Sequence, residues 1–153
     1  MRNPEFYAAV YAIIKNKAWE ILFMKRQNTW FKDWCFQIPA GHLEWKESLK
    51  YGFIREMKEE LWIDILEKDC EIQHISHRIS KQDIWDDRVY FDSYIEVQKY
   101  SWEIKNTEPE KCSELKFIDI NNISESDKEL FWYDLEVIRK IKKWEKFSEI
   151  IME

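Results

Sequence analysis

The stretch from Pro39 to Ile63, PAGHLEWKESLKYGFIREMKEELWI, constrains this chain more than any other. From Glu47 to Leu61 its residues suit a helix, with Glu47 and Ser48 near the positive N-terminal end. At 3.6 residues per turn, Phe53, Ile54, Met57 and Leu61 share one face, and Glu56, Glu59 and Glu60 share another. The apolar face predicts packing on a sheet. The acidic face gathers three carboxylates within about one turn. Like charges that close repel, unless a hard cation such as Mg²⁺ or Mn²⁺ sits among their oxygens. Charge runs are usually solvent-facing, so EMKEEL alone would read as a solvated helix face. Gly41, Glu47 and Arg55, standing in fixed register with those acids, turn the reading toward a metal site.

The rest of the chain supplies the sheet. Phe6 to Lys15 is apolar and β-rich, and Ile21 to Arg26 is a second strand; the polar break between them reads as a hairpin. Cys35 to Ile38 is a short strand delivering the chain to Pro39. Ile72 to Ile79, Arg88 to Val97 and Leu115 to Ile120 are further strands, with Tyr100 to Cys112 a polar loop. Ser124 and Ser126 offer caps for a last helix, and Leu135, Ile138 and Ile141 have helical spacing within Leu130 to Trp144. Strands first, a helix in the middle and a helix last predict one α/β layered domain over residues 1–153.

A net charge of −6 argues against a long nucleic-acid backbone as partner, since that needs clustered Lys and Arg. It leaves room for a single nucleotide carried in with its metal. Cys35, Cys70 and Cys112 are odd in number and widely spaced, with neither metal-ligand spacing nor a disulfide framework. With no signal peptide and no long apolar run, the expectation is a cytoplasmic protein, monomer or homodimer, with no membrane partner.

The spacing Gly41, Glu47, Arg55-Glu56, Glu59-Glu60, Ile63 resembles the Nudix box, the signature of hydrolases that cleave a nucleoside diphosphate linked to another group. Every position is met except one: Trp62 stands where the family has glycine. Two further segments, Gln37 to Glu44 and Asn106 to Cys112, resemble a MutT-like group that sanitises oxidised nucleotides. The resemblance implies an α/β/α sandwich with a mixed sheet, the box (residues 41–63) forming a loop–helix–loop against it. It also implies Mg²⁺-dependent conversion of a nucleoside triphosphate to monophosphate and pyrophosphate, clearing damaged nucleotides. The same box serves ADP-ribose and other nucleoside-diphosphate derivatives. A nucleotide sensor that does not cleave is the reading of a different class, against which the intact acids argue. Isomerisation of a prenyl diphosphate would need a reactive Cys35.

Carried over by position, the resemblance makes Glu56, Glu59, Glu60 and the Ala40 carbonyl the metal ligands, with Glu59 or Glu60 orienting or deprotonating water. Arg55 pairs with Glu47 to hold the loop on the helix. Arg26 faces the phosphates, His42 lies near them, and Gln37 and Phe117 line the base pocket. Glu108 or Glu110 could join the metal site, although acids in a polar loop are ordinarily solvated.

The composition is abnormal in one respect. The chain has nine Trp and two Gly, where average usage of about 7% would give roughly ten Gly. Trp19 sits in a hairpin break, Trp62 follows the box helix, and Trp30, Trp34, Trp85, Trp102 and Trp144 lie in polar, turn-like surroundings; Trp45 and Trp132 are less clear. A single cause predicts both anomalies: UGA codons read as glycine in the source and as tryptophan in this sequence. On that account Trp19 and Trp62 should be solvent-exposed, with φ > 0 at one or both.

Overall fold

The computed structural model describes residues 5–30, 32–80, 88–123 and 129–152. The strands are β1 (Glu5–Ile13), β2 (Ile21–Arg26), β3 (Phe36–Gln37), β4 (Ala40–His42), β5 (Cys70–Ser80), β6 (Arg88–Val97), β7 (Cys112–Ile118) and β8 (Phe147–Met152), with helices α1 (Leu49–Leu61) and α2 (Trp132–Lys142). Five strands form a mixed sheet in the order β4-β1-β6-β5-β8, with β1–β6 and β5–β8 parallel. The other three form an antiparallel sheet, β3-β2-β7.

β1 shows why the chain layers as it does. Its last residues are apolar without a break and buried on both faces, the pattern of a strand covered on two sides. Val10, Ala12 and Ile14 join Phe53, Met57 and Leu61 of α1 in one cluster. Ala9, Tyr11 and Ile13 join Val137 and Ile138 of α2 in the other. Strand alternation thus assigns successive side chains to opposite helices.

Helix α1 starts at Leu49, two residues later than the sequence predicts. Ser48 is its N-cap, its side chain accepting from the Tyr51 N–H at 3.4 Å. Glu47 lies just outside the helix, free to reach back along the loop. The C-terminal carbonyls find partners in the 104–112 loop: Lys105 N–H donates to Leu61 at 3.0 Å and Thr107 N–H to Glu60 at 3.1 Å. The Thr107 hydroxyl donates to the Glu59 carbonyl.

Three expectations need correcting. β1 and β2 meet only at their neck, through a Lys15–Ile21 bridge and Leu22 N–H to Ile14 at 2.9 Å, and then diverge into different sheets. β4 is an additional strand inside the segment read as a loop, paired with β1. The chain ends in a strand, not a helix: α2 stops at Lys142, and β8 runs parallel to β5. That strand alternates buried Ser148 and Ile150 with exposed neighbours, a half-buried edge pattern. Ser124, Ser126 and Trp85 lie outside the described residues.

The backbone takes φ > 0 at nine described non-glycine positions, and six of these are Trp19, Trp30, Trp34, Trp62, Trp102 and Trp144. Trp62 is the α1 C-cap, at φ 61° and ψ 23°. Among the described residues, no helix is long and apolar enough to cross a membrane.

Candidate active site

The loop before α1 is fixed by one residue. Arg55 Nε donates to Glu47 Oε1 at 2.7 Å and Nη2 to Glu47 Oε2 at 2.9 Å, a two-point clamp. Nη2 also donates to the His42 carbonyl at 3.1 Å, and Nη1 reaches Glu56 at 3.0 Å and Glu59 at 3.2 Å. Glu47 takes a further bond from the Glu44 N–H at 2.8 Å. Hydrogen bonds from Arg55 first, and from Glu44 second, pull the Glu47 carboxyl down to about 2.

The two glycines serve this packing. A Cβ on Gly41 would land on the Glu56 carboxyl, and one on Gly52 would strike Leu43 and Glu47. Neither has positive φ; close approach alone demands them.

Glu56, Glu59 and Glu60 line one wall of a cavity of about 610 Å³, whose other walls include Arg26, Gln37, Ala40, His42, Glu108 and Lys111. The three carboxylates do not form a ready cage: among the described residues, no group of three His, Cys, Asp or Glu side chains is close enough to hold an ion. Arg55 instead draws Glu56 and Glu59 toward itself. Glu59 is the most open of the three, its side chain 55% exposed.

Glu60 is different. Although the residue is only part-buried, its Oε2 is sealed from solvent and has no hydrogen-bond partner. Burial first, then the charges of Glu56 and Glu108, push its carboxyl well above the ordinary range; Lys111 and the Ala40 N–H offset part of this. Glu56 is also raised, chiefly by burial. A buried, orphaned carboxylate oxygen beside two more acids, on a cavity wall, fits a hard divalent cation.

A second, smaller cavity of about 150 Å³ shares Arg26, Gln37, Ala40, Gly41 and His42 with the first and continues to Tyr11, Arg78, Tyr90 and Tyr133. Arg78 Nε donates to Asp92 at 2.6 Å and Nη2 to the other Asp92 oxygen at 3.2 Å. Its guanidinium lies 4.1 Å from the Tyr90 ring centroid and 5.3 Å from that of Tyr133. Nη1 meets only Met152 Sδ among the described residues, at 4.0 Å, a weak acceptor. Sequence reasoning missed this group. Its signal was a polar row, His74, Ser76 and Arg78, on one face of β5 with Asp92 opposite in β6, visible only once the register is known.

Of the residues expected at the site, the structure brings Arg26, Gln37, Ala40, His42, Arg55, Glu56, Glu59, Glu60 and Glu108 to the large cavity, with Glu47 behind them. Arg26 Nη2 donates to the Thr29 hydroxyl at 2.9 Å. Glu108 is paired with Lys111 at 2.6 Å. Phe117 is a correction. It pairs with Leu22 and packs against the α1-side cluster, on the same sheet face as Met24 but farther along the strand, so it lines neither cavity. Glu110 and Cys35 line neither cavity, and Cys35 packs against the α2-side cluster, which removes the motive for prenyl-diphosphate chemistry.

The family model that matches this chain is the NUDIX domain, over residues 5–148. A search of curated proteins finds no match. Among solved structures, the chain resembles a MutT protein from Methanosarcina mazei Go1 (TM-score 0.76, 19% identity, 94% of this chain and 97% of that one). It also resembles a MutT NUDIX hydrolase from Burkholderia pseudomallei (0.71, 20%, 86% and 97%) and an ADP-ribose pyrophosphatase from Streptococcus suis (0.57, 14%, 95% and 98%). At these identities the likeness is one of fold.

Proposed function

The chain belongs to the NUDIX family, and we propose that within it this protein is a divalent-metal-dependent nucleoside triphosphate pyrophosphohydrolase, releasing monophosphate and pyrophosphate. The orphaned Glu60 Oε2, on a wall with Glu56 and Glu59 and facing a cavity that also carries Arg26 and Lys111, is the observation that carries this reading. Glu56, Glu59 and Glu60 would hold Mg²⁺ or Mn²⁺, with the Ala40 carbonyl beside them. Bound there, the cation supplies neutralisation of phosphate charge and a water of lowered pKa.

The chain's own residues do the rest. Arg55 fixes the acids and the loop, Arg26 offers positive charge to the phosphates, and a carboxylate of the α1 wall takes the proton as water attacks phosphorus. The P–O bond to the bridging oxygen breaks, and pyrophosphate leaves. The nucleobase enters the smaller cavity, stacked against Tyr90 or Tyr133, with Arg78 Nη1 donating to a ring carbonyl or nitrogen. Gln37, which lines both cavities, would contact the base from their junction. A guanidinium donor and aromatic walls suit a purine with exposed acceptors, such as guanine or an oxidised guanine, and are compatible with clearance of damaged nucleotides.

A screen of canonical and oxidised nucleoside triphosphates and ADP-ribose with Mg²⁺, reading monophosphate and pyrophosphate, tests this. Triphosphates should give the highest kcat/KM. A value for ADP-ribose about tenfold above every triphosphate, roughly 1.4 kcal/mol of transition-state preference, would overturn the substrate class. Tight nucleotide binding without any turnover would make the protein a sensor.

A further inference from the structure

Tryptophan in this chain behaves as no aromatic residue should. Of the eight Trp among the described residues, six have φ between 61° and 75°, whereas no described Phe or Tyr has φ > 0. None of the eight is less than 47% exposed, while Tyr11, Phe23, Phe36, Phe53, Tyr94, Phe131 and Tyr133 fill the core. The left-handed region penalises every residue with a Cβ and is worst for bulky ones; glycine alone enters it without cost.

At these positions the backbone has a structural role. Trp19 N–H closes the β1–β2 turn on Asn16 at 3.0 Å, and Trp34 N–H returns to Arg26 at 2.7 Å. Trp62 N–H caps α1 on Lys58 at 3.1 Å, and Trp144 N–H meets Ile141 at 2.9 Å where α2 ends. The indoles contribute little: Trp62 lies by Lys58, Trp19 by Lys15, and Trp102 Nε1 donates to Asp64. Helix C-caps and tight turns are where glycine is the default residue. The two glycines that are present occupy only close-contact positions without positive φ.

We infer that the nine tryptophans are glycines in the protein as its own cell makes it, the gene carrying UGA at each and the source reading UGA as glycine. One recoding event produces both the Trp excess and the Gly deficit, and it places them at the same positions. It takes in Trp45, Trp85 and Trp132 as well, because the Trp excess and the Gly deficit are properties of all nine positions together. It also means that the exposed indoles are not a docking surface. This inference stands independently of the proposed activity.

The gene sequence and the tryptic peptide masses of the protein purified from its source test it together. UGA at all nine codons, with glycine in the peptides, is the expected result. UGG at any of the nine codons, or tryptophan in the corresponding peptides, overturns it.

Discussion

Glu60→Gln should stabilise the metal-free protein while abolishing its chemistry. The Glu60 Oε2 atom is shut away from water without a partner, facing the charges of Glu56 and Glu108. An unsatisfied buried polar group costs about 1–3 kcal/mol, and more when charged. Glutamine has the same shape and still leaves a polar atom unpartnered, but it removes the charge, so the part of the cost due to charge, on the order of 1–3 kcal/mol at pH 8, should be recovered. For a chain of this size that raises Tm by roughly 2–10 °C. The sign follows from linkage. The folded carboxyl titrates above its ordinary value of about 4.5. Its ionisation therefore costs stability as pH rises from there through the raised value, and costs nothing below it. The gain from Glu60→Gln should thus be clearly larger at pH 8 than near pH 4, where it vanishes. Added Mg²⁺ should reverse the order, raising Tm of the natural chain more than that of the variant. Differential scanning fluorimetry with EDTA, at pH 4 and pH 8, measures all of this. A metal-free variant less stable at pH 8, or an equal increment at both pH values, would refute the argument that Glu60 is a strained ligand awaiting a cation.

Glu59→Gln should leave the fold intact and lower turnover by about 10²–10⁴, the span of a lost general base or metal ligand; near-normal kcat at saturating Mg²⁺ would remove Glu59 from the chemistry. The Glu47 carboxyl sits at about 2 in the folded chain, below its ordinary 4.5, so its stabilisation is present above pH 4.5 and lost as pH falls toward 2. Amide protection at residues 42–47, corrected for the intrinsic exchange rate at each pH, should fall in that window, and should already be low at neutral pH in Glu47→Gln. Tyr90→Ala should raise KM for nucleoside triphosphates by about tenfold, near the upper end of a lost stacking contact, and leave hydrolysis of tripolyphosphate, which has no base, unchanged. Equal losses on both would place the base elsewhere.

Helix α1 was legible because its signals are local. Its helical period and the spacing of Glu47, Arg55, Glu56, Glu59 and Glu60 all lie within fifteen residues, and the structure keeps them on neighbouring elements, although Ser48 as the cap was not read. Strands β2 and β6 were readable to the residue for the same reason. What local pattern cannot give is pairing. The apolar runs of β1 and β2 look like two arms of a hairpin, yet β1 finds β4 and β6 while β2 finds β3 and β7. Arg78 failed in the same way, because which partner a strand residue meets depends on register with strands far away in sequence; Phe117 shares a face with Met24 but sits too far along β7 to line the cavity. β8 was hidden because six residues of half-polar alternation after a helix resemble a helix end frayed into solvent.

The left-handed tryptophans carry an energetic consequence. Each residue with a Cβ in that region costs about 1–2 kcal/mol, so six such sites cost roughly 6–12 kcal/mol. Domains of ordinary size keep only about 5–15 kcal/mol in total. A natural sequence with six of its bulkiest side chains at such positions would have spent most of its stability on residues that are mostly exposed and touch little. Glycine relieves the strain but adds freedom to the unfolded chain, about 0.5–1 kcal/mol per site. Replacing Trp19, Trp30, Trp34, Trp62, Trp102 and Trp144 together should therefore raise stability by roughly 3–6 kcal/mol, with Trp62 giving least because its half-covered ring rests on Lys58. Alanine at the same six sites separates the causes. It removes the exposed indole but keeps the Cβ, so it should recover little in the urea midpoint. If alanine stabilised the chain as much as glycine did, exposed apolar surface and not backbone strain would be at work, and the left-handed geometry would lose its force as a mark of glycine.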